Sequence, residues 1–568
     1  MRLRPVAVSL ALFVAVAGST QAAVGAGSGK SSRGDRKTAV ARRKIPGIKN
    51  LKYDPTPALE TIPVLPDPAE IPKPDPKGNY NAYDINAYET IWFPERQPGD
   101  EDAKAEPGGA PSHGTCPPGG CENHEREFHN YWLKRMKKLV KPFGGTATKY
   151  PFFSEGAGLP EGAPLAQPGG DTANLMATIP GSKHPDQSVI VSGHYDQTDS
   201  GPASAWDSAE GHATVFRIAK LMIDYWRKTG TRPPVSVKFT SWGAEESGSF
   251  GSQAYVRDNL FPFPSLRVRG YFNLDPCAGA YPAYFRGNPA ERIPMVMQLS
   301  DPEEAIAPAV VRKVKRFNKK ARKVLGDVMN HLDDNLSDVP GAPEVFISKE
   351  EGQKDGVDHQ EDEIVTALGG LAFFSSDYTR FEQIGVPILN LFPDMFGPHA
   401  DGSCDNCTTD GIEILHTPND NLRTLNAFTG VDQTGLTPSE GWYKGLEFCA
   451  HMHSWFMLQP MMAGSEPRTK APVAYFEPTT ASPAPVVPGK KIKFNSKGSY
   501  AFKKAGKMKR WPTRRLKFRW NLGDGTKSKK RKITHAYKKS GIYDAKLKVI
   551  KPGGKSDVMR VSVKVDVP

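Results

Sequence analysis

The stretch that decides the fold is residues 188–196, which read SVIVSGHYD. The first six residues form a short apolar run typical of a strand buried on both faces, and polar residues follow where the run ends. Comparable runs alternate with helical stretches at 213–225 and 251–259, and they lie at Ala173–Ile179, Val235–Ser241, Gly270–Leu274 and Gly385–Phe392. Strands alternating with helices predict an α/β domain with a mostly parallel central sheet flanked by helices.

Outward from this stretch, the α/β pattern covers residues 121–461. It starts with a helix that places Phe128, Trp132, Met136 and Leu139 on one face, and it closes with a helix over residues 442–458. Residues 300–375 are charged and rich in Asp, Glu and Gly, and we expect an insertion over the sheet there.

The first 120 residues are predicted to lie outside this domain. Residues 1–26 have basic Arg2 and Arg4, an apolar stretch and small residues, which is the pattern of a signal peptide. We therefore expect a secreted protein. Residues 27–120 are Pro-rich, and they fit an N-terminal extension that is a pro-segment, a wrapping arm or a spacer.

Composition and charge exclude two classes of protein. The 54 aromatic residues among 568 exclude a fully disordered chain, and no later run of about 20 apolar residues predicts a transmembrane segment. From residue 471 to the end there are 26 Lys and Arg against 5 Asp and Glu, a net charge of +21, so the first 470 residues carry 13 − 21 = −8. This split predicts separate modules, of which the basic one suits an anionic polymer or cell surface.

The C-terminal module begins after a linker over residues 462–472. From residue 473 to 568, apolar and polar residues alternate with a period of two between Gly and Pro turns, as in LKFRWNL and RVSVKVDV. This pattern predicts an immunoglobulin-like β-sandwich.

The six cysteines are an even set in a presumed oxidising compartment, and we interpret them as disulfides. A structural zinc site built on Cys404 and Cys407 would need a second pair at matching spacing, and Cys116 and Cys121 are a poor partner.

Groups that bind metals or transfer protons follow the strands. Ligands of open α/β sheets lie beyond the carboxyl ends of the strands. At these positions the sequence has His194 and Asp196, then Asp207, then Glu245 and Glu246, then Asp275, and in a late loop His416. Zinc favours imidazole and carboxylate ligands, and two zinc ions that share one carboxylate need five protein ligands and one further carboxylate as base.

These residues lie in motifs that resemble the co-catalytic zinc aminopeptidases of the M28 type, which include secreted leucine aminopeptidases. The resemblance covers about residues 122–460, through VIVSGHYDQTDSG, AWDSAEGHATVFRIAKLM, FTSWGAEESGSFGSQAYV, YFNLDPCAG and LHTPNDNLRTLN, in that order. It implies the zinc exopeptidase fold and two co-catalytic zinc ions, although cobalt or manganese suits the same ligands.

The resemblance also implies a role for each site residue. It makes His194 and Asp275 ligands of one zinc, Glu246 and His416 ligands of the other, and Asp207 the carboxylate that bridges both. It makes Glu245 the base that takes a proton from the attacking water, and Asp196 the carboxylate that orients the imidazole of His194.

The sequence departs from the family pattern at one point. Ser208 follows Asp207, whereas relatives have Asp or Asn at that position. The change puts in doubt the geometry of the loop, including the cis peptide bond that relatives have there. It also suggests that Glu210 takes over a polar role. Asp377 and Tyr378 lie in a stretch that also resembles the family, and they line the substrate cleft or contribute to packing.

The resemblance bears on the cysteines as well. Cys404 and Cys407 resemble a short disulfide beside the active site of some secreted relatives, and we pair Cys277 with Cys449.

The C-terminal module resembles the PKD-type domain through FRWNLGDGTKS and THAYKKSGIYDAKLKVI. That resemblance implies core positions for Trp520 and Tyr537, a turn at 523–525, and structural positions for His535 and Tyr543.

Together these patterns predict a secreted dinuclear zinc peptidase that acts on peptides or proteins, most simply an aminopeptidase. Two alternatives stay open: a carboxypeptidase-like zinc exopeptidase, and a non-catalytic binding or adhesion protein on the same fold. Glutaminyl cyclases of this superfamily lack the His at the first strand, so His194 argues against that activity. Few aromatics accompany the basic residues, so a specific nucleic-acid partner is not expected.

Overall fold

The structure is a computed structural model, and it describes residues 81–93, 96, 125–154, 170–197, 204–277, 295–299, 312, 314–319, 376–393, 420–422, 438–480, 486–505 and 507–566. All of them belong to one compact unit, Pro46–Pro568. Several predicted features lie outside the described residues. They are the signal peptide, His416, the cysteine pairs Cys116–Cys121 and Cys404–Cys407, and most of the 300–375 insertion.

The N-terminal part of the described chain is an α/β domain. Its helices include α1 (Ala82–Trp92), α2 (Glu125–Val140), α3 (Gly211–Thr229), α4 (Phe250–Tyr255), α5 (Tyr378–Glu382) and α6 (Pro438–Met457). Its strands include β1 (Thr146–Ser154), β2 (Gly170–Ile179), β3 (His184–His194), β4 (Thr231–Arg232), β5 (Val235–Trp242), β6 (Arg267–Asn273), β7 (Met295–Leu299) and β8 (Ile388–Pro393).

The central sheet has seven strands in the order β1-β2-β5-β3-β6-β8-β7. The four inner strands β5, β3, β6 and β8 are parallel, whereas the pairs β1–β2, β2–β5 and β7–β8 are antiparallel. All eight residues of β5 are buried, as expected for a strand covered on both faces by helices. The predicted α/β class is confirmed, and the carboxyl ends of the parallel strands meet at one edge.

Helix α2 packs on the sheet through the face that its spacing predicts. Phe128, Trp132, Met136 and Leu139 are all buried, and they join a cluster with residues of β2, β3, β5, α3 and α6. The apolar face of an amphipathic helix stabilises the fold mainly through such packing.

Residues 462–472, which the sequence analysis takes as a linker, pack on the α/β domain. Met462 is fully buried in its core. Strand β9 (Glu466–Pro467) pairs with β4, and Glu466 forms an ion pair with Lys183. The first part of this connection, as far as Arg468, is therefore held against the α/β domain.

The C-terminal part is a β-sandwich, as predicted. Its strands are β10 (Pro472–Val473), β11 (Glu477–Thr480), β12 (Lys491–Asn495), β13 (Tyr500–Ala501), β14 (Lys517–Asn521), β15 (Lys527–Ser528), β16 (Lys532–Ala536), β17 (Gly541–Ile550) and β18 (Ser556–Val565). Antiparallel sheets β11-β12-β16 and β15-β14-β17-β18 enclose a core that contains Trp520 and Tyr537. Gly523 and Gly525 adopt φ angles of 93° and 91°, which favour glycine in the predicted turn.

The sandwich docks against the α/β domain through apolar and polar contacts. Phe263, which precedes β6, is fully buried in the core of the sandwich. The backbone N–H of Lys564 donates to the carbonyl of Pro262 at 2.8 Å, and the N–H of Ser562 donates to Ser265 Oγ at 2.7 Å. The two domains therefore share packed residues.

Within the described residues, no helix is long and apolar enough to span a membrane.

Candidate metal centre and active site

His194 ends β3 at the edge where the parallel strands finish, and it is 1% exposed. Its Nε2 lies 2.9 Å from Asp207 Oδ1 and 2.9 Å from Asp275 Oδ1. Its Nδ1 lies 3.0 Å from the backbone oxygen of Asp196 and 3.6 Å from the carboxylate Oδ1 of that residue. One imidazole nitrogen therefore faces two carboxylates from different elements, and the other nitrogen is held by Asp196.

Asp207 is placed by the loop Ala205–Glu210, which lies just before α3. The backbone N–H groups of Trp206 and Asp207 donate to the two carboxylate oxygens of Asp420 at 2.7 and 3.0 Å. The Asp207–Ser208 peptide bond is cis, so the replacement of Asp or Asn by Ser208 does not remove that feature. The Ser208 hydroxyl donates to the Leu274 carbonyl at 3.1 Å.

Close packing of α3 against β6 also positions this loop. A Cβ on Gly211 would lie 2.1 Å from the carbonyl oxygen of Leu274, so a side chain at position 211 would force the helix away. Leu274 directly precedes Asp275. The segments that carry Asp207 and Asp275, the two carboxylates beside His194, are therefore packed against each other at Gly211 and Leu274.

Glu245 and Glu246 follow β5 after a turn in which Ala244 has a φ of 56°. Glu245 is buried, and its Oε1 accepts a hydrogen bond from Ser249 Oγ at 3.2 Å. The N–H of Glu246 donates to Asp196 Oδ2 at 3.1 Å. Asp196 thus contacts both the imidazole of His194 and the backbone of Glu246.

Asp275 follows β6, and its second oxygen Oδ2 accepts a hydrogen bond from Ser376 Oγ at 2.5 Å. Ser376 in turn accepts from Asn273 Nδ2 at 2.9 Å. The adjacent Asp377 is 1% exposed, and burial raises its pKa to about 8. Asp377 therefore adds another carboxyl group to the same buried region.

The charges of the site are unbalanced among the described residues. Burial raises the pKa of Glu245 well above its usual range, and the charge of Asp275 raises it further. Burial lowers the pKa of His194, but the charge of Asp275 and hydrogen bonds to neighbouring carboxylates hold it well above its usual range. Carboxylates crowded around one imidazole are stabilised by added positive charge.

These residues fit a divalent metal. Single ligand atoms of His194, Asp207 and Glu246 all lie within 4.8 Å of one another, and so do those of His194, Glu245 and Asp275. Imidazole and carboxylate are the ligand types that zinc takes in open catalytic sites. His194, Asp207 and Glu246 are therefore already close enough together to hold one metal ion.

The structure brings together all but one of the residues predicted for the site. Those that converge are His194, Asp196, Asp207, Glu245, Glu246 and Asp275, whereas His416 lies outside the described residues.

Three other residues with predicted roles lie around the site. Tyr378 packs in an apolar cluster with Trp242 and Tyr271. Glu210 accepts hydrogen bonds from the N–H of Cys277 and from Thr214, and these contacts account for its polar role. Cys277 lies against Cys449 of α6, with Cα atoms 6.2 Å apart, a separation that a disulfide can span.

Asp420 is a site residue that was not predicted, although it lies in the quoted motif LHTPNDNLRTLN. In the motif, Asp420 occupies a position near the predicted ligand His416. The motif does not indicate that the carboxylate of Asp420 binds the loop of Asp207. The signal available was an acidic residue four positions after a predicted ligand.

Comparison with known proteins identifies the domain that carries these residues. Residues 174–326 match the model of peptidase family M28. The chain contains a peptidase M28 domain. This M28 domain includes the segments that carry His194, Asp207, Glu245, Glu246 and Asp275, so the site lies in a peptidase domain. Residues 480–567 match the model of the PKD domain, which identifies the sandwich.

Relatives of the M28 domain include both aminopeptidases and carboxypeptidases. Leupeptin-inactivating enzyme 1 of Streptomyces exfoliatus is 30% identical over 167 residues, which are 29% of this chain and 34% of that protein. Carboxypeptidase Q of Bos taurus is 39% identical over 90 residues, or 16% and 18% of the two chains. Aminopeptidase NAALADL1 of Rattus norvegicus is 32% identical over 105 residues, or 18% and 14%. The matched segments thus span about a third or less of these relatives.

Solved structures similar to the chain include two aminopeptidases. The LapA aminopeptidase of Legionella pneumophila is 13% identical, with 68% of this chain and 71% of that chain covered and a TM-score of 0.36. The zinc aminopeptidase BSAP of Bacillus subtilis is 14% identical, with 52% and 51% covered and a TM-score of 0.30.

Proposed function

We propose that the protein is a secreted, zinc-dependent exopeptidase that removes amino-terminal residues from peptides or proteins. The observation that supports this most directly is the convergence of His194 with Asp207 and Asp275 beside the buried Glu245, within an M28 domain. The apolar, basic-flanked start of the chain supports export.

In this proposal the chain holds two zinc ions. His194 and Asp275 would hold one ion, Glu246 and His416 would hold the other, and Asp207 would be a ligand of both. Zinc bound here supplies a Lewis acid that lowers the pKa of water and polarises the scissile carbonyl. Asp196 orients the His194 ring through the contact at its Nδ1 and ties it to the backbone of Glu246.

Glu245 is the general base in this proposal. It takes a proton from the attacking water and later returns it to the leaving amine, so the carboxylate is regenerated when the peptide bond is broken. Burial raises the pKa of Glu245 above that of a solvated glutamate, which makes its carboxylate a stronger base.

The excess of carboxylates favours an aminopeptidase. A peptide with a free amino terminus carries an ammonium group, and an acidic pocket attracts that charge.

A carboxypeptidase is the second candidate, and Arg380 favours it. Arg380 Nη2 donates to the carbonyl of Gly248, which lies three residues after Glu245, so a guanidinium is positioned beside the site. Arg binds carboxylates with paired hydrogen bonds and would suit the free carboxyl end of a peptide.

Two substrate classes distinguish these candidates. The secreted protein is incubated with aminoacyl-p-nitroanilides, which have a free amine, and with N-acylated dipeptides, which have a free carboxylate. We expect hydrolysis of the first class, its loss with a chelator, and its return with zinc. Glu245→Gln should be inactive, whereas Asp171→Asn, an exposed charge change on β2, should be active.

Each other outcome has a defined meaning. Hydrolysis of the N-acylated dipeptides alone, reduced in Arg380→Gln, would identify a carboxypeptidase. A protein that is inert on both classes and binds no metal would be a non-catalytic binding protein on this fold.

We further propose that the PKD domain binds an anionic polymer or cell surface through one face of its four-stranded sheet. In the strand register, Arg519 lies opposite Lys548, and Lys546 lies opposite Arg560. Like charges in opposite positions destabilise a sheet, so an anionic partner would relieve the repulsion. Among the described residues, the solvent-facing positions of this sheet include no aromatic side chain for stacking on bases.

Retention on immobilised dextran sulfate tests this contact. The double variant Arg519→Gln/Lys548→Gln should elute at lower salt than the wild type, because binding that releases counterions weakens steeply with salt. The matched control is Lys491→Gln/Lys493→Gln, which removes the same charge from the other sheet. Equal shifts for both doubles would show that net charge alone determines retention.

A further inference from the structure

Helix α1 lies in the Pro-rich segment that the sequence analysis assigns to an extension, yet it is part of the α/β core. Tyr83 and Ala87 are fully buried, and Ile85 and Tyr88 belong to the main apolar cluster. Asn81 caps the start of the helix, since its Oδ1 accepts the N–H of Asp84 at 2.7 Å. A helix buried in this way cannot leave without exposing the core.

Asn86 of this helix contacts the loop that carries Asp207. Its Nδ2 donates to the carbonyl of Ala205 at 2.7 Å, and its Oδ1 accepts from Trp442 Nε1 of α6 at 3.0 Å. Asn86 is fully buried, and Ala205 is two residues before Asp207. One amide side chain therefore fixes the metal-binding loop to a distant helix.

A second contact reaches the other side of the site. Arg96, which follows α1, is fully buried, and its Nε donates to the carbonyl of Tyr195 at 2.7 Å. Tyr195 directly follows His194. Segment 81–96 thus hydrogen-bonds the backbone next to two predicted metal ligands that come from different elements.

Two further contacts tie the segment to the helices around it. The N–H of Ala82 donates to Glu447 Oε1 at 3.2 Å. Glu89 Oε2 lies 2.7 Å from His212 Nε2, and both residues are fully buried. Removal of segment 81–96 would take one hydrogen-bond donor from the buried Glu447 and the close carboxyl partner from the buried His212, which is unfavourable.

We propose that segment 81–96 is a permanent part of the catalytic unit and not a removable pro-segment, and that Asn86 is a positioning residue for the loop of Asp207. The second statement rests on the proposed metal-dependent function. Any maturation that shortens the chain from its start then has to cleave before residue 81.

The first test is the amino terminus of the active secreted protein, read by mass spectrometry. Peptides from residues 81–96 should be present in stoichiometric amount with the rest of the domain. An active protein that lacks these residues would overturn the first statement.

The second test compares Asn86→Ala with Asn81→Ala in the full chain, by zinc affinity in chelator competition and by kcat and KM on an aminoacyl-p-nitroanilide. Both substitutions shorten the same residue type in or beside the same helix, but Asn86 alone bonds the loop. We expect Asn86→Ala to weaken zinc binding by about 10- to 100-fold, as for residues that orient metal ligands, and to lower kcat more than it raises KM. Asn81→Ala should leave zinc affinity unchanged.

Equal zinc affinity in the two variants would overturn the positioning role. If Asn86→Ala is not recovered folded, Asn86→Asp replaces it, because it keeps the acceptor for Trp442 Nε1 and removes the donor to Ala205. Zinc affinity is measured independently of hydrolysis, so a protein without peptidase activity still tests the contact, and failure of one proposal is distinguishable from failure of the other.

Discussion

Glu447 of α6 should make the stability of the α/β domain dependent on acid pH. Its side chain is fully buried, and it accepts hydrogen bonds from the Ala82 N–H and, at 2.8 Å, from Arg217 Nε. Burial alone would raise the pKa of this carboxyl, but the charge of Arg217 and the hydrogen bond and charge of His451 lower it to about 2. The folded protein therefore holds Glu447 ionised far below the usual range.

The size of the effect follows from that difference. A carboxyl whose pKa is lower in the folded state stabilises the fold above its unfolded pKa, and this stabilisation is lost as the pH falls towards the folded pKa. A fall in pKa from 4.5 to about 2 corresponds to about 3 kcal/mol at pH 7, of which about 2 kcal/mol is lost by pH 3.

Urea unfolding of the wild type and of Glu447→Gln, followed by tryptophan fluorescence, measures this contribution. Both proteins are kept in chelator, so that metal release at low pH does not enter the comparison. We expect the variant to be less stable at pH 7, and the gap between the two proteins to shrink by about 2 kcal/mol at pH 3. The control is Glu440→Gln in the first turn of the same helix. A gap that stays constant between pH 7 and pH 3, or that shrinks equally in the control, would refute the reasoning.

Three further predictions concern other contacts. Asp420→Ala should weaken zinc binding by about 10-fold or more, because the N–H groups of the metal-binding loop lose their acceptors, and chelator competition measures the change. Phe263→Ala should destabilise the docked sandwich by about 3 kcal/mol or more, whereas Phe261→Ala, at a site 61% exposed, should have little effect on the urea midpoint. Peptide mapping without reduction should recover Cys277 linked to Cys449, and separate free thiols would contradict that pairing.

The strand-end residues of the site could be predicted from the sequence because each depends on a local pattern. A buried strand has a recognisable apolar run, and the residues that follow it lie at the same edge as those of its parallel neighbours. This is why His194 and Asp275 could be named before their contacts were known. Likewise, the spacing of Phe128 and Trp132 is enough to predict which face of α2 is buried.

Contacts between distant segments could not be predicted in the same way. Asp420 bonds the backbone of Asp207 across 213 residues, and neither residue has a neighbour that signals the other. Helix α1 was missed for a different reason. Its buried residues Tyr83, Ile85 and Ala87 occupy more than one side of the helix, so no single apolar face emerges, and the surrounding Pro-rich composition favours an unstructured segment.

The proposed binding surface of the PKD domain and the proposed active site lie on different parts of the molecule. The sandwich contacts Pro262, Phe263 and Ser265, which come before β6, and it therefore docks at the end of the sheet where the parallel strands begin. The proposed active site lies where those strands finish, beyond His194 and Asp275. The sandwich cannot swing across the site without withdrawing Phe263 from its core and breaking the hydrogen bonds to Pro262 and Ser265. A surface bound by the basic sheet would thus hold the enzyme in a fixed orientation while the catalytic edge stays accessible to peptides.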